Sequence, residues 1–279
     1  MAIVFVTRDG YENRKLYEAA LEADNEVYVL DPLQLFYKLD KENTTIYSGG
    51  MPLDLSLVVI RLVGGNAKAV LGKVAGRMGI SGEPVARFKT SGIAKINSEL
   101  NRELTEENHP ISYICFSNQT YHNHKHLINF PVIYKPAVGR HGKGIELFKT
   151  IEELDRFVDR FNPTETKPLF LQELIQNIIR EYRVYLVNNK AVNWVKKVRA
   201  AETKKLFKGR KFEAVELPED VRVYCELNAR TGLVGLDIVK TREGKLYIIE
   251  QNRAPEWERT DKVTNKNTAK LVLEALLNG

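Results

Sequence analysis

Two stretches of this sequence carry residue types and spacings that could do chemistry. The first, LVGLDIVKTREGKLYIIEQN at 233–252, reads as two apolar strands with Glu243-Gly244 between them, a composition suited to a two-residue hairpin turn. Such a turn sets Arg242 opposite Lys245 and, counting outward, Asp237 opposite Glu250. Opposed residues in an antiparallel pair hold their Cβ atoms roughly 4.5–5.5 Å apart. Two carboxylates at that separation repel unless a cation or a proton compensates them. Asn252 follows two residues after Glu250, on the same strand face. Asp, Glu and Asn oxygens together suit Mg²⁺, which takes few protein ligands and leaves room for phosphate oxygens. A solvated pair on an exposed face is the plainer alternative, but Leu236, Ile238, Ile248 and Ile249 argue for a packed sheet. If repulsion dominates, Asp237→Asn should leave the metal-free protein as stable as before, or more so.

The second stretch, PVIYKPAVGRHGKGIELF at 131–148, places Lys135 at the end of an apolar strand and follows it with three glycines and three basic residues. Glycines let a backbone approach a phosphate closely and turn its N–H groups toward it. Neither common phosphate fingerprint fits. Gly142-Lys143 is followed by Gly144 rather than Ser or Thr, and the chain after Gly144 reads as a strand, not a helix. The expected arrangement is a strand–loop–strand flap. A lysine inside an apolar strand needs a reason, and a phosphate beside it supplies one.

The elements that must position these residues fall into two styles. The first third alternates strand and helix signals: AIVFVT at 2–7, an amphipathic helix at 11–23, EVYVLDP, LSLVVIRL at 55–62, and a helix at about 66–78. That pattern predicts a small open α/β unit with a parallel sheet. Beyond about residue 90 come a helix at 92–104, YICFS, the flap, a helix at 151–161, and strands of antiparallel style, LFLQELI, EYRVYLV and AVNWVKKV. Asn188-Asn189 suits the hairpin turn between the last two. A helix opens at Pro218, and a final one is expected over 264–277.

Composition bounds the reading. The 279 residues, 43% of them hydrophobic, can bury a large core. No apolar run approaches the ~20 residues of a membrane span, and MAIVFVTRDG reads as a first strand rather than a leader. Cys115 and Cys225 stand far apart without metal-ligand spacing, which points to a reducing, cytoplasmic setting. The net charge of +6 points to an anionic partner. The run YHNHKH at 121–126 has no further metal ligands near it and reads as a solvated loop.

A lysine-bearing strand with a glycine flap, then QELI, then GLDI…IIEQN, in that order, resembles the ATP-grasp superfamily. The chain is most similar to its RimK-like carboxylate–amine ligases, relatives of glutathione synthetase and D-alanine–D-alanine ligase. The resemblance implies a mixed α/β and α+β chain: an N-terminal pre-ATP-grasp α/β domain over 1–88, a central lobe with the flap over 89–168, and a C-terminal lobe with the metal site over 169–279. It implies ATP with Mg²⁺ or Mn²⁺, and an acylphosphate intermediate. Carried over position by position, Lys135 and Lys95 resemble the lysines beside the phosphates. Gly139, Arg140, His141, Gly142 and Gly144 resemble the flap. Gln172, Glu173, Leu174 and Ile175 resemble the hinge strand whose backbone reads adenine. Glu181 falls near the ribose position, and Asp237, Glu250 and Asn252 match the metal ligands. The cation that holds the reacting phosphoryl group falls at Lys197 or Arg199.

The loop after that strand departs from the family pattern. Residues 196–211 hold eight basic residues and one acid, Glu202, which reads either as a solvated basic face or as a pocket for an acidic second substrate: an acidic peptide, a protein tail or an anionic metabolite joined with an amino acid. With few interleaved aromatics the stretch does not suggest nucleic acid. An ATP-grasp kinase acting on an anionic small molecule is the alternative, and a nucleotide-dependent binding protein a third reading. The sequence leaves a homo-oligomer open.

Overall fold

The computed structural model describes residues 2–7, 10–29, 36–39, 44–48, 51–54, 57–61, 74, 81–82, 110–137, 144–164, 167–199, 210–229, 232–252 and 254–277. The helix expected at 92–104 lies outside these residues, as does that at 66–78 apart from Val74.

The first third is the α/β unit its pattern predicts. Strands β1 (Ala2–Thr7), β2 (Glu26–Val29), β6 (Leu57–Arg61) and β7 (Ser81–Gly82) form a sheet in the order β2-β1-β6-β7, every pair parallel. Helix α1 (Tyr11–Glu22) lies between β1 and β2 in the chain and buries Leu16, Ala19 and Ala20 at helical spacing. An antiparallel meander of β3 (Phe36–Leu39), β4 (Thr44–Ser48) and β5 (Met51–Pro52) was not foreseen, because its strands are short.

The central sheet runs β10-β9-β11-β8, from β8 (Ser112–Cys115), β9 (Val132–Tyr134), β10 (Glu146–Phe148) and β11 (Leu169–Glu173), all antiparallel. Strand β11 therefore belongs to this lobe, past the boundary expected at 168. Its two faces differ. On one, Val132, Tyr134, Leu169 and Leu171 pack against helix α3 (Ile151–Phe161) through Leu154, Phe157 and Val158. That helix starts where Thr150 accepts from the Glu153 amide, and stops at Asn162, whose φ of 51° turns the chain out of the helix. The other face carries Ile114, Phe170 and Ala137 and, by strand alternation, Ser112 and Gln172. The histidine run is helix α2 (Asn118–His124) and a 3₁₀ turn, not a loop, and among the described residues no three His, Cys, Asp or Glu side chains gather to hold a metal.

The C-terminal sheet runs β14-β13-β12-β15-β16 and is antiparallel throughout. Its strands are β12 (Ile178–Val187), β13 (Lys190–Arg199), β14 (Arg210–Glu213), β15 (Leu233–Thr241) and β16 (Leu246–Asn252). Asn188 and Asn189 turn between β12 and β13 with φ of 47° and 67°, the left-handed pair a tight primed turn requires. Helix α4 (Glu219–Asn228) covers one face through Val221 and Cys225, packed on Val184, Leu236 and Ile238. The final helix expected over 264–277 is α6 (Thr268–Leu277), which starts a few residues later, and the shorter α5 (Glu258–Thr264) before it was not foreseen. Asn265, at φ 53°, ends α5, and Asp261 caps α6 by accepting from the Thr268 amide.

Helices α1 and α6 share one core: Leu16, Ala19 and Ala20 pack with Val272, Leu273, Trp257 and Tyr185. A buried carboxylate reinforces the junction. Glu12, only 7% exposed, accepts from the amides of Trp257 at 3.0 Å and Glu258 at 3.3 Å, donors at the start of α5 that the helix itself cannot pair. Hydrogen bonds to a charged group contribute about 1.5–3 kcal/mol. Glu12→Ala should lower unfolding free energy by about that amount, read as a shift in the denaturant midpoint, and Glu12→Gln by less.

Candidate active site

The hairpin at 233–252 reaches the expected pairing by an unexpected route. The turn is one residue longer than Glu243-Gly244 alone. Thr241 pairs with Lys245, its amide donating to the Lys245 carbonyl at 2.9 Å, and Gly244 holds φ 83°. Arg242 therefore does not oppose Lys245, and pairing near the turn runs one step off the expected register: Lys240 with Leu246, Val239 with Tyr247, Ile238 with Ile248. A bulge then leaves Ile249 unmatched, and Asp237 comes opposite Glu250 and Gly235 opposite Asn252. Without that extra residue Asp237 would face Ile249.

Asp237 is not the half of a repelling pair that its sequence context suggests. It is 5% exposed and gripped by two cations. Arg183, directly opposite on β12, donates from Nε to Oδ1 at 2.6 Å and from Nη2 to Oδ2 at 2.8 Å. Lys197 on β13 reaches Oδ2 at 2.5 Å, and its Nζ lies 3.5 Å from Glu181. Burial by itself would raise the Asp237 carboxyl, but Lys197 and Arg183 outweigh it and hold it well below the ordinary carboxylate range. Burial likewise opposes the charge on Arg183, and Asp237 more than restores it. Glu181, expected near a ribose, is thus a buried partner of Lys197. The side chain of Arg199 lies outside the described residues, so the pair left open at 197 and 199 is described only at Lys197.

Glu250 is exposed and has no ion pair among the described residues, and the Asn252 side-chain oxygen accepts from the Ala254 amide at 3.0 Å. The chain then folds back over β15: a Cβ on Gly235 would lie 2.6 Å from Cβ of Pro255. Asp237, Glu250 and Asn252 offer oxygens only, on adjacent paired strands, with Asp237 held ionised. That donor set fits a hard divalent cation. Arg183 escaped the sequence reading, although alternation from Glu181 places it on the same strand face and signals it.

On the central sheet, Lys135 donates to the Gln172 side-chain oxygen, and Gln172, 1% exposed, donates to Ser112 Oγ at 3.0 Å. The Lys135 amide donates to the Phe170 carbonyl at 2.9 Å. The hinge is pinned: the Glu173 amide donates to Ile111 and the Leu174 amide to Pro131, both at 2.9 Å, and Ile175 follows them. The Glu173 carboxylate accepts from Tyr113 Oη at 2.6 Å and Asn129 at 3.0 Å. Gly144, at φ 74°, sits so close to Pro136 that a Cβ would come within 2.9 Å of that ring. Lys95, Gly139, Arg140, His141 and Gly142 lie outside the described residues.

Residues 107–276 match the family model of the RimK-like ATP-grasp domain. The chain belongs to that family. It is an ATP-grasp ligase, and among curated relatives it is 24% identical to a probable alpha-L-glutamate ligase of Syntrophotalea carbinolica, over 93% of this chain and 89% of the relative. Solved structures share the fold. The ATP-grasp ligase PsnB with a minimal precursor superposes with a TM-score of 0.73 at 17% identity, covering 99% of this chain and 98% of PsnB. PsnB has also been solved with precursor, Mg and ADP, at a TM-score of 0.70, 16% identity, and coverage of 99% and 97%. The macrocyclase MdnC of Microcystis aeruginosa MRC, bound to precursor peptide MdnA, gives 0.62 at 15% identity, covering 100% of both chains. No helix among the described residues is long and apolar enough to cross a membrane.

The grip on Asp237 reverses the stability expectation drawn from repulsion. Removing one partner of a buried ion pair costs about 3–5 kcal/mol, so Asp237→Asn should melt at lower temperature than wild type in metal-free buffer. The carboxyl is depressed in the folded state, so its contribution is complete above the unfolded value of about 3.9 and is lost as pH falls toward the folded one. The gap between wild type and Asp237→Asn should close only below about pH 4.

Proposed function

We propose that this ligase joins a carboxylate to an amine through an acylphosphate, releasing ADP and phosphate, with an amino acid such as glutamate as the amine and an acidic peptide, protein tail or metabolite as the carboxylate. The observation that carries the reading is the buried Asp237 gripped by Arg183 and Lys197 beside Glu250, on paired strands of a RimK-like domain. Names of the relatives support glutamate, and the peptide-bound neighbours support a peptide acceptor.

Asp237, Glu250 and Asn252 would hold Mg²⁺, which when bound offsets charge on the phosphate oxygens. Lys135, held by Gln172, supplies a second positive charge to phosphate, and the glycine-rich stretch expected as a flap would add backbone amides. The acceptor carboxylate oxygen attacks the γ-phosphorus as the bond to the β-phosphate bridging oxygen breaks, giving acylphosphate and ADP. Lys197 steadies the transferring group. The amine nitrogen then attacks the acyl carbon, phosphate leaves with the bonding pair, and the amine gives up a proton. Arg183 keeps Asp237 charged and aimed throughout. The work is positioning and charge stabilisation, without a covalent enzyme intermediate.

The test is product analysis after incubation with ATP, Mg²⁺, pooled amino acids and acidic peptides. Phosphate should appear in step with ADP, and mass spectrometry should show peptides extended by one or more amino-acid residues. A phosphorylated product with no free phosphate would instead establish a kinase.

The basic stretch gives the acceptor its expected charge. Lys204, Lys205 and Lys208 lie outside the described residues, as does the side chain of Arg210, while Lys211 is exposed on β14. Exposed charges act over roughly 8–10 Å at physiological salt. Neutralising these five residues should raise the acceptor KM, more steeply at low salt, with the KM for ATP nearly unchanged. Wild-type acceptor kinetics at low ionic strength would remove the case for an acidic acceptor.

A further inference from the structure

The grip on Asp237 is unequal, and the inequality suggests what happens when a metal arrives. Arg183 holds both carboxylate oxygens through a planar fork, from the residue directly across the strand pair. Lys197 touches one oxygen only, as a point charge on a flexible stem. It also has a second acid within reach, Glu181 at 3.5 Å. Oδ2 already takes one bond from Arg183 and one from Lys197, whereas Oδ1 takes one from Arg183. A dication and an ammonium on the same buried carboxylate repel strongly in a low-dielectric setting.

We propose that Lys197 is the exchangeable counter-ion of the metal-free site: it occupies Asp237 until nucleotide phosphate draws it away, and so makes metal binding depend on nucleotide binding. This rests on the metal assignment given above and adds a role for Lys197 before any chemistry. Arg183 stays on Asp237 in both states. Phosphate offers the ammonium a better anion, and its departure leaves Asp237 short of one positive charge, which the metal restores. Metal and nucleotide then strengthen each other by way of one side chain, beyond their direct attraction. Such coupling is reciprocal, and values of about 5–150-fold are typical.

The experiment reads binding, not turnover. Mn²⁺ is titrated into the full-length protein, and free ion is followed by electron paramagnetic resonance, without nucleotide and with a non-hydrolysable ATP analogue. Nucleotide-free wild type should bind Mn²⁺ weakly. Lys197→Met should bind it about tenfold tighter, and the further gain on adding the analogue should be smaller than in wild type. The variant should also gain more melting temperature from Mn²⁺ alone, because an ion that binds only the folded state stabilises it in proportion to its affinity. Lys197→Gln carries the same expectation should methionine prevent folding. A folded variant that binds Mn²⁺ no tighter than wild type overturns the exchange while leaving the metal site intact. Asp237→Asn separates the two levels. If it leaves Mn²⁺ affinity of the nucleotide complex unchanged, the metal assignment falls, and the exchange with it.

Discussion

One carboxylate, Asp237, sets the terms for the C-terminal sheet. A buried charge in an apolar surround is tolerable only when paired and hydrogen-bonded, and Arg183 and Lys197 provide both. Three strands must therefore keep register, since β12 carries Arg183, β13 carries Lys197 and β15 carries Asp237. The apolar side chains on the opposite face, Val184, Leu236 and Ile238 under helix α4, enforce the same register independently. Slipping one strand by a single residue would bury the wrong side chains and strand a charge at once. Packing and electrostatics thus agree about a single arrangement, which is what makes a site of this kind reproducible.

The N-terminal unit takes part in holding this arrangement. Glu12 secures the start of α5, Tyr185 Oη donates to the Glu256 carbonyl at 2.8 Å and accepts from the Thr260 hydroxyl, and Pro255 rests on Gly235. The segment that leaves Asn252 is held from three sides. Its conformation is a property of the whole chain more than of the hairpin that precedes it.

Much of this could be read from residue types. The parallel opening sheet, the placement of Lys135 just past a buried strand, the Asn188-Asn189 turn and the facing of Asp237 and Glu250 all follow from local pattern. The last was reached from a turn one residue too short, and the bulge at Ile249 cancels that error. No composition rule marks Ile249, flanked by apolar strand residues like itself, so the compensation was invisible in the sequence. Arg183 shows a different limit. Alternation places it on the correct face, but its partner is 54 residues away and only the strand pairing brings them together. Likewise the start of α6 at Thr268, later than the expected 264, depends on Asp261 reaching forward to the Thr268 amide, a contact that residue pattern does not mark. Partners far apart in sequence also invert energetic signs. A carboxylate that looks repelled by its neighbour is held by cations contributed from elsewhere.

The shared core of α1 and α6 has a bearing on how the chain acquires its structure during synthesis. Ile3 and Leu16 belong to the same cluster as Val272 and Leu276. A chain made from its N-terminus exposes the apolar face of α1 while the residues between α1 and α6 are still being added. Contacts of such long sequence separation form late and carry a high loop-closure cost. For that interval the opening α/β unit is an incomplete body with an uncovered apolar surface, the kind of species that chaperones retain and that aggregates when they are scarce. Helix α6 acts, in this sense, as the closing piece of the opening α/β unit.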